Sequence, residues 1–232
     1  KKTRLPLKDQ KLLARGYPLD YLIGWKPFLN CQIDLSFKPL IPRPETEYWA
    51  EKAIEEIKKN QEKRRQRVLD IFAGSGCVGI AVLKNTKNTL VDFAEKNDKF
   101  LKQIEKNLIL NKITNNRWKL IKSDVWQRVE NKYDFILANP PYIAVKKKPK
   151  LPLNVKKYEP SAALFGGKEG MIYIKKFLFS LKKYLNQNGQ AWLEFDAPQK
   201  AKIEKLLKKN NFRNWLFKKD QFGRWRWVII FS

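Results

Sequence analysis

The chain has 232 residues, enough for one full hydrophobic core and at most a small appendage, and its 43% hydrophobic and 13% aromatic content excludes a disordered polymer. It contains no histidine and only two cysteines, Cys31 and Cys77, so a zinc site is not expected, and no apolar run approaches the length of a membrane span. With 49 Lys and Arg against 23 Asp and Glu, the net charge is +26.

The charge has two readings: weak, non-specific affinity for RNA or the ribosome, or a general lysine enrichment that localises no site. The amino end has no apolar signal core, and with two unpaired thiols a reduced, cytoplasmic setting is expected. The missing initiator Met suggests a chain that starts inside a longer one.

In chain order, residues 1–15 read as one short basic helix. Residues 16–28 are punctuated by Gly and Pro and read as a loop. Residues 32–37 alternate apolar and polar, as a half-buried strand of a small hairpin does. Pro42-Arg-Pro-Glu-Thr-Glu47 opens a helix running to about Lys59, with Pro44 in the first turn and Glu45 and Glu47 at the positive end of the dipole. A charged linker covers 60–66.

From Arg67 the pattern alternates. Strands are expected at 67–72, 89–95, 118–122, 133–138 and 190–195, with helices at 78–83, 98–110, 170–184 and 199–209. Such alternation predicts an α/β fold with a mostly parallel, doubly wound sheet. The end differs: 212–217 and 225–231, with no helix between them, predict a terminal antiparallel hairpin. Residues 146–156 form a basic, Pro-containing stretch without periodicity, a candidate lid after Tyr142.

Val68-Leu-Asp70-Ile-Phe72-Ala73-Gly74-Ser75-Gly76-Cys-Val-Gly79 reads as strand, glycine turn and helix start, and its glycines match the dinucleotide fingerprint. Glu95 ends the next strand, where a carboxylate takes both hydroxyls of a ribose. Two adenosine cofactors fit at this level. NAD would place its pyrophosphate on the helix amino end. S-adenosylmethionine carries cationic groups instead, and Asp70 suits that option. Asp124 follows the strand at 118–122, where it either meets an adenine amine or caps a turn. Val125 and Trp126 beside it would wall the adenine pocket, with Trp126 equally readable as core.

Asn139-Pro140-Pro141-Tyr142 follows an apolar strand and sits where open α/β sheets bind ligands. Two prolines fix successive φ angles and remove two donors, leaving carbonyls free to face a substrate. Asn139 adds an acceptor and two donors, and Tyr142 a flat face. The stretch is a rigid cradle for a planar group bearing an NH2.

Taken together, Leu69 to Gly76, Glu95, Asp124 and Asn139 to Tyr142 resemble the S-adenosylmethionine-dependent methyltransferases with a seven-stranded sheet. The Asn-Pro-Pro-Tyr form is shared by enzymes that methylate amino groups of adenine, cytosine or glutamine. Tyr21-Leu-Ile-Gly24 with Phe28, Leu40-Ile-Pro-Arg-Pro-Glu-Thr-Glu47, Glu159-Pro-Ser-Ala-Ala-Leu-Phe-Gly-Gly167 with Gly170, and Lys219-Asp220 through Gly223-Arg224 narrow the resemblance to the peptide-chain release factor glutamine methyltransferases. Three features depart from that family. Phe72-Ala73 replaces a more usual Gly-Thr, Glu194-Phe195-Asp196 stands where Glu-Ile-Gly is common, and of the family's helical amino-terminal domain only residues 1–15 would remain.

The resemblance implies residues 43–232 as the methyltransferase domain and 1–42 as a remnant plus linker hairpin. It implies methyl transfer, by a monomer and without metal, to the amide nitrogen of the glutamine in a release factor's Gly-Gly-Gln tip. Asp70, Phe72, Ala73, Gly74, Ser75, Gly76, Glu95, Asp124, Val125 and Asn139 would hold the cofactor, and Asn139, Pro140, Pro141 and Tyr142 the substrate. Asn139, Pro140 and Tyr142 would be catalytic, Tyr142 by stacking on or walling in the amide plane. The alternatives are an amino methyltransferase acting on a base of RNA or DNA, or on a ribosomal-protein glutamine, and, from another class, a nicotinamide-dependent oxidoreductase.

Overall fold

A computed structural model describes residues 5–62 and 64–232. Residues 1–4 of the expected basic helix, and Lys63 of the expected linker, lie outside the described residues. The chain starts with α1 (Leu7–Ala14), then α2 (Leu19–Ile23) and the hairpin β1 (Trp25–Phe28) and β2 (Cys31–Asp34). The Gly- and Pro-rich piece expected to be a loop is therefore a short helix and a strand. Pro18 is the N-cap of α2, Gly24 closes it with φ of 88°, and Pro27 sits in a two-stranded edge where its missing donor is tolerated.

After α3 (Pro44–Gln61) come β3 (Gln66–Ile71), α4 (Cys77–Asn85), β4 (Thr89–Glu95), α5 (Asp98–Leu110), β5 (Trp118–Lys122) and β6 (Tyr133–Ala138). The basic stretch beyond Tyr142 is not aperiodic loop. It folds as a 3₁₀ segment, Val145–Lys150, and α6 (Leu153–Tyr158), because Pro152 starts a helix as readily as it breaks one. A further short helix, α7 (Ser161–Leu164), was not expected. The chain closes with α8 (Ile172–Tyr184), β7 (Leu185–Glu194), α9 (Lys200–Lys209), β8 (Trp215–Lys219) and β9 (Trp225–Phe231). β7 begins five residues earlier than its apolar pattern suggests, through an irregular stretch opposite Tyr133 where Asn188 adopts φ of 64°.

The seven strands run in the order β5-β4-β3-β6-β7-β9-β8, all parallel neighbours except where β9 pairs antiparallel with β7 and β8. One face packs on α3, α4 and the amino-terminal hairpin, with Phe28, Ile33, Trp49 and Phe93 in its core. The other packs on α8 and α9 around Phe177, Leu193 and Ile203. The order reverses between β3 and β6, so the ligand crevice opens above those two strands.

The hairpin docks on a polar ladder. Gln103 and Asn107 on α5 and Asn111 at its C-cap, spaced by about one helical turn and all buried, accept the backbone N–H groups of Phe37 at 2.9 Å, Asp34 at 2.8 Å and Gln32 at 3.0 Å. Asn107 also donates to the Ser75 carbonyl at 2.9 Å, which ties the hairpin to the glycine turn.

Candidate active site

A cleft of about 490 Å³ lies above the carboxyl ends of β3, β4, β5 and β6. Of the residues expected to hold a cofactor, Asp70, Phe72, Ala73, Gly74, Ser75, Glu95, Asp124, Val125 and Asn139 line it. Gly76 does not: it starts α4 with φ of 77°, and a side chain there would press on Ile104 of α5. Trp126 is core, stacked on Tyr184 at 4.4 Å with its N–H given to the Phe177 carbonyl at 3.1 Å.

Asp70 is 4% exposed, and its Oδ2 accepts the Gly79 N–H at 2.8 Å. Gly79 is required there, since a Cβ would fall 2.4 Å from the Phe93 ring and 3.0 Å from Asp70 Oδ2. Burial pushes the Asp70 carboxyl up to about 8, with the Glu95 charge adding to the effect. Glu95 is held across the cleft floor by N–H bonds from Gly74 at 2.9 Å and Asn97 at 2.8 Å, and burial raises its pKa as well. Asp124 is paired with Lys96 Nζ at 2.7 Å. Phe72 and Val125 both adopt positive φ, 63° and 56°, strained conformations for side chains of those shapes. Burial lifts the Cys77 thiol to about 12, which leaves it inert as a nucleophile.

On the opposite wall, Asn139 and Pro141 line the cleft; Pro140 is buried and is not among the lining residues. The turn is braced by residues 159–170. Ile143 bridges to Phe165, and the Gly166 N–H donates to the Ile143 carbonyl at 3.0 Å. Gln199 Nε2 donates to the Tyr142 carbonyl at 2.9 Å. Gly170 passes so close that a Cβ would sit 1.9 Å from that carbonyl oxygen. The Pro140 carbonyl accepts no hydrogen bond among the described residues.

Tyr142 is absent from the cleft lining; its hydroxyl donates to Glu194 Oε1 at 2.8 Å. Burial, and then the Glu194 charge, hold its phenol far above the ordinary range. Asn139 Nδ2 donates to Thr46 Oγ1 at 3.1 Å, and Thr46 donates to Glu194 Oε2 at 2.7 Å. Arg43 pairs with Glu159 at 2.5 Å, and Glu159 also accepts the Ile41 N–H at 3.2 Å, so the stretches 40–47 and 159–167 meet over the cleft. Sequence reasoning did not give Thr46 or Glu194 a role in the site. The one available signal was an acidic residue ending the apolar run Ala191-Trp-Leu.

The groups present fit one of the two adenosine cofactors. The amino end of α4 already spends its Gly79 N–H on the Asp70 side chain, so a pyrophosphate would meet a carboxyl where it needs a donor. Acidic groups at that position suit a ligand with cationic ends, and Glu95 suits a ribose. Sheet order and cleft chemistry together define an S-adenosylmethionine-dependent methyltransferase. Among the described residues no group of three or more His, Cys, Asp or Glu side chains is arranged to hold a metal ion, and no helix is long and apolar enough to cross a membrane.

The Methyltransferase small domain family matches residues 53–154. Release factor glutamine methyltransferase of Flavobacterium psychrophilum is 33% identical over 229 residues, 97% of this chain and 77% of that protein. The enzyme of the same name from Thermodesulfovibrio yellowstonii is 33% identical over 214 residues, covering 92% of this chain and 76% of that one. Among solved structures, ribosomal protein L11 methylase from Lactobacillus delbrueckii superposes with a TM-score of 0.59 at 24% identity, over 84% of this chain and 80% of that one. A methyltransferase from Pyrococcus furiosus superposes with a TM-score of 0.61 at 19% identity, over 97% of each chain. The chain belongs to the release factor glutamine methyltransferase family.

Proposed function

We propose that this protein methylates the side-chain amide nitrogen of the glutamine in the Gly-Gly-Gln tip of a peptide-chain release factor. The observation that carries the reading is a pair of unengaged acceptors in the turn, one on Asn139, which lines the cleft, and one on Pro140 next to it in the chain. Asn139 spends its NH2 on Thr46, and among the described residues nothing donates to its Oδ1 or to the Pro140 carbonyl. A primary carboxamide has two N–H donors to satisfy them. With both hydrogens so held, the nitrogen presents its face to the cleft. An amide nitrogen is a poor nucleophile because its lone pair is delocalised, so alignment and local electrostatics carry the catalysis. S-adenosylmethionine, when bound, supplies an activated methyl group on a cationic sulfur.

In this reading Glu95 takes the ribose hydroxyls, Asp70 faces the cationic end of the donor, and Asp124 stands at the adenine edge. Val125 and Phe72 shape the pocket walls. No general base is required, because the alkylated amide nitrogen loses its proton readily. Residues 43–232 act as the catalytic unit, and 1–42 as an attached element whose hairpin is keyed to the glycine turn through Asn107.

The test is mass spectrometry of a release factor incubated with this protein and S-adenosylmethionine, with bulk RNA and ribosomal protein as parallel acceptors. One added methyl on the tip glutamine is expected. Methylation of RNA or of a ribosomal-protein glutamine instead would overturn the proposal.

A further inference from the structure

Glu194 ends β7 at 1% exposure, in contact with two parts of the chain far from it in sequence. Its Oε2 accepts the Trp49 indole N–H at 2.6 Å and the Thr46 hydroxyl at 2.7 Å, and its Oε1 accepts the Tyr142 hydroxyl at 2.8 Å. An indole N–H only donates, and an ionised carboxylate only accepts, so Glu194 takes a hydrogen bond from each of Trp49, Thr46 and Tyr142. Thr46 has one hydroxyl proton. Given to Oε2, it leaves only lone pairs facing Asn139, 3.1 Å away.

That polarity decides the orientation of Asn139. With its NH2 toward Thr46, Asn139 completes the chain of donors and turns Oδ1 to the cleft. Flipped, it would set Oδ1 against the Thr46 lone pairs and point N–H groups at the N–H groups of the incoming carboxamide. The same carboxylate, through Tyr142, anchors the backbone that carries the Pro140 carbonyl. One buried side chain therefore sets both acceptors.

We propose that Glu194 and Thr46 are positioning residues that lock the flip state of the Asn139 amide, so that the site presents two acceptors and selects a primary carboxamide. The inference rests on the function proposed above and adds the residues that impose its polarity. It joins the Arg-Pro-Glu-Thr-Glu stretch, at the opening of α3, to the Asn-Pro-Pro-Tyr turn by a physical link.

The experiment compares wild type, Thr46→Val and Thr46→Ser. Rates are measured on the release factor tip, cofactor Kd separately, and the Asn139 side-chain amide by ¹⁵N NMR, its signal assigned by its loss in Asn139→Asp. Val replaces the hydroxyl with a methyl of similar size; Thr46→Ala repeats the test with no bulk in its place. Loss of the hydroxyl is expected to lower kcat about tenfold or more with cofactor Kd within about twofold, the scale of one lost hydrogen bond in the reacting geometry. The Asn139 amide protons should exchange faster and move toward free-amide shifts. Thr46→Ser restores both readouts. A kcat within about twofold of wild type in Thr46→Val, or unmoved Asn139 resonances whatever the rate, overturns the inference. A wild-type protein that leaves the release factor unmodified would instead sink the proposed function, and the Asn139 signal would still decide the orientation.

Discussion

On the glycine-loop wall of the cleft, the polar groups stand half engaged: Asp70 holds one backbone N–H, Glu95 two, and Asp124 a single exposed lysine. On the Asn139 wall, Thr46, Trp49 and Tyr142 all close on one buried carboxylate, and residues 159–170 clamp the turn from outside. The first wall is built mainly from backbone donors and strained φ angles, and its carboxyl groups retain capacity for a ligand. The second has its polar atoms spent on one another except for two acceptors. One wall is arranged to bind, the other to hold a geometry, and perturbing them should therefore give different signatures.

The largest effect is expected from Asn139→Ala. Removing one of two acceptors should reduce kcat about 100- to 1000-fold, the scale of deleting one preorganised polar contact to a reacting group, while cofactor Kd largely survives. Near-normal rates would place the reacting amide elsewhere. Next is Glu194→Ala, which strands the donors of Trp49, Thr46 and Tyr142. A loss of about 3 kcal/mol in unfolding free energy is expected from those unmet groups, measurable by urea titration. A stability within about 0.5 kcal/mol of wild type would show that the network relaxes without its hub.

The glycine-loop wall should respond through pH. Asp70 is raised from 3.8 to about 8 in the folded protein, so between those values the fold binds a proton that the unfolded chain has released. Its contribution to stability therefore falls as pH rises through that window. Asp70→Asn should flatten that part of the slope in cofactor-free protein, read as Tm against pH. An unchanged slope would mean that Asp70 is ionised throughout. The smallest effect belongs to Val125→Gly. It relieves a β-branched residue at φ of 56°, so stability should change by no more than about 1 kcal/mol while cofactor affinity falls. An affinity equal to wild type would remove Val125 from the pocket.

How much of this was legible beforehand follows the same division. The glycine turn and the Asn-Pro-Pro-Tyr turn were readable because each is contiguous: an apolar strand, then residues whose backbone limits are visible in their names. Sheet class and the terminal hairpin followed from alternation. The network behind Asn139 was not readable, since Thr46 and Glu194 lie 148 positions apart and donor–acceptor logic needs them in contact. Residues 16–28 and 146–156 were misjudged because Pro and Gly open and close short elements as often as they interrupt long ones. Asp124 could be placed at the sheet edge, but its Lys96 partner is set by how α5 begins.

The most direct test of the account is a crystal structure of the protein with S-adenosylhomocysteine and a Gly-Gly-Gln peptide. The account predicts the glutamine carboxamide nitrogen within hydrogen-bonding reach of both Asn139 Oδ1 and the Pro140 carbonyl, facing the sulfur across the cleft. A carboxamide bound away from that turn, or an Asn139 amide presenting its NH2 to the ligand, would contradict it.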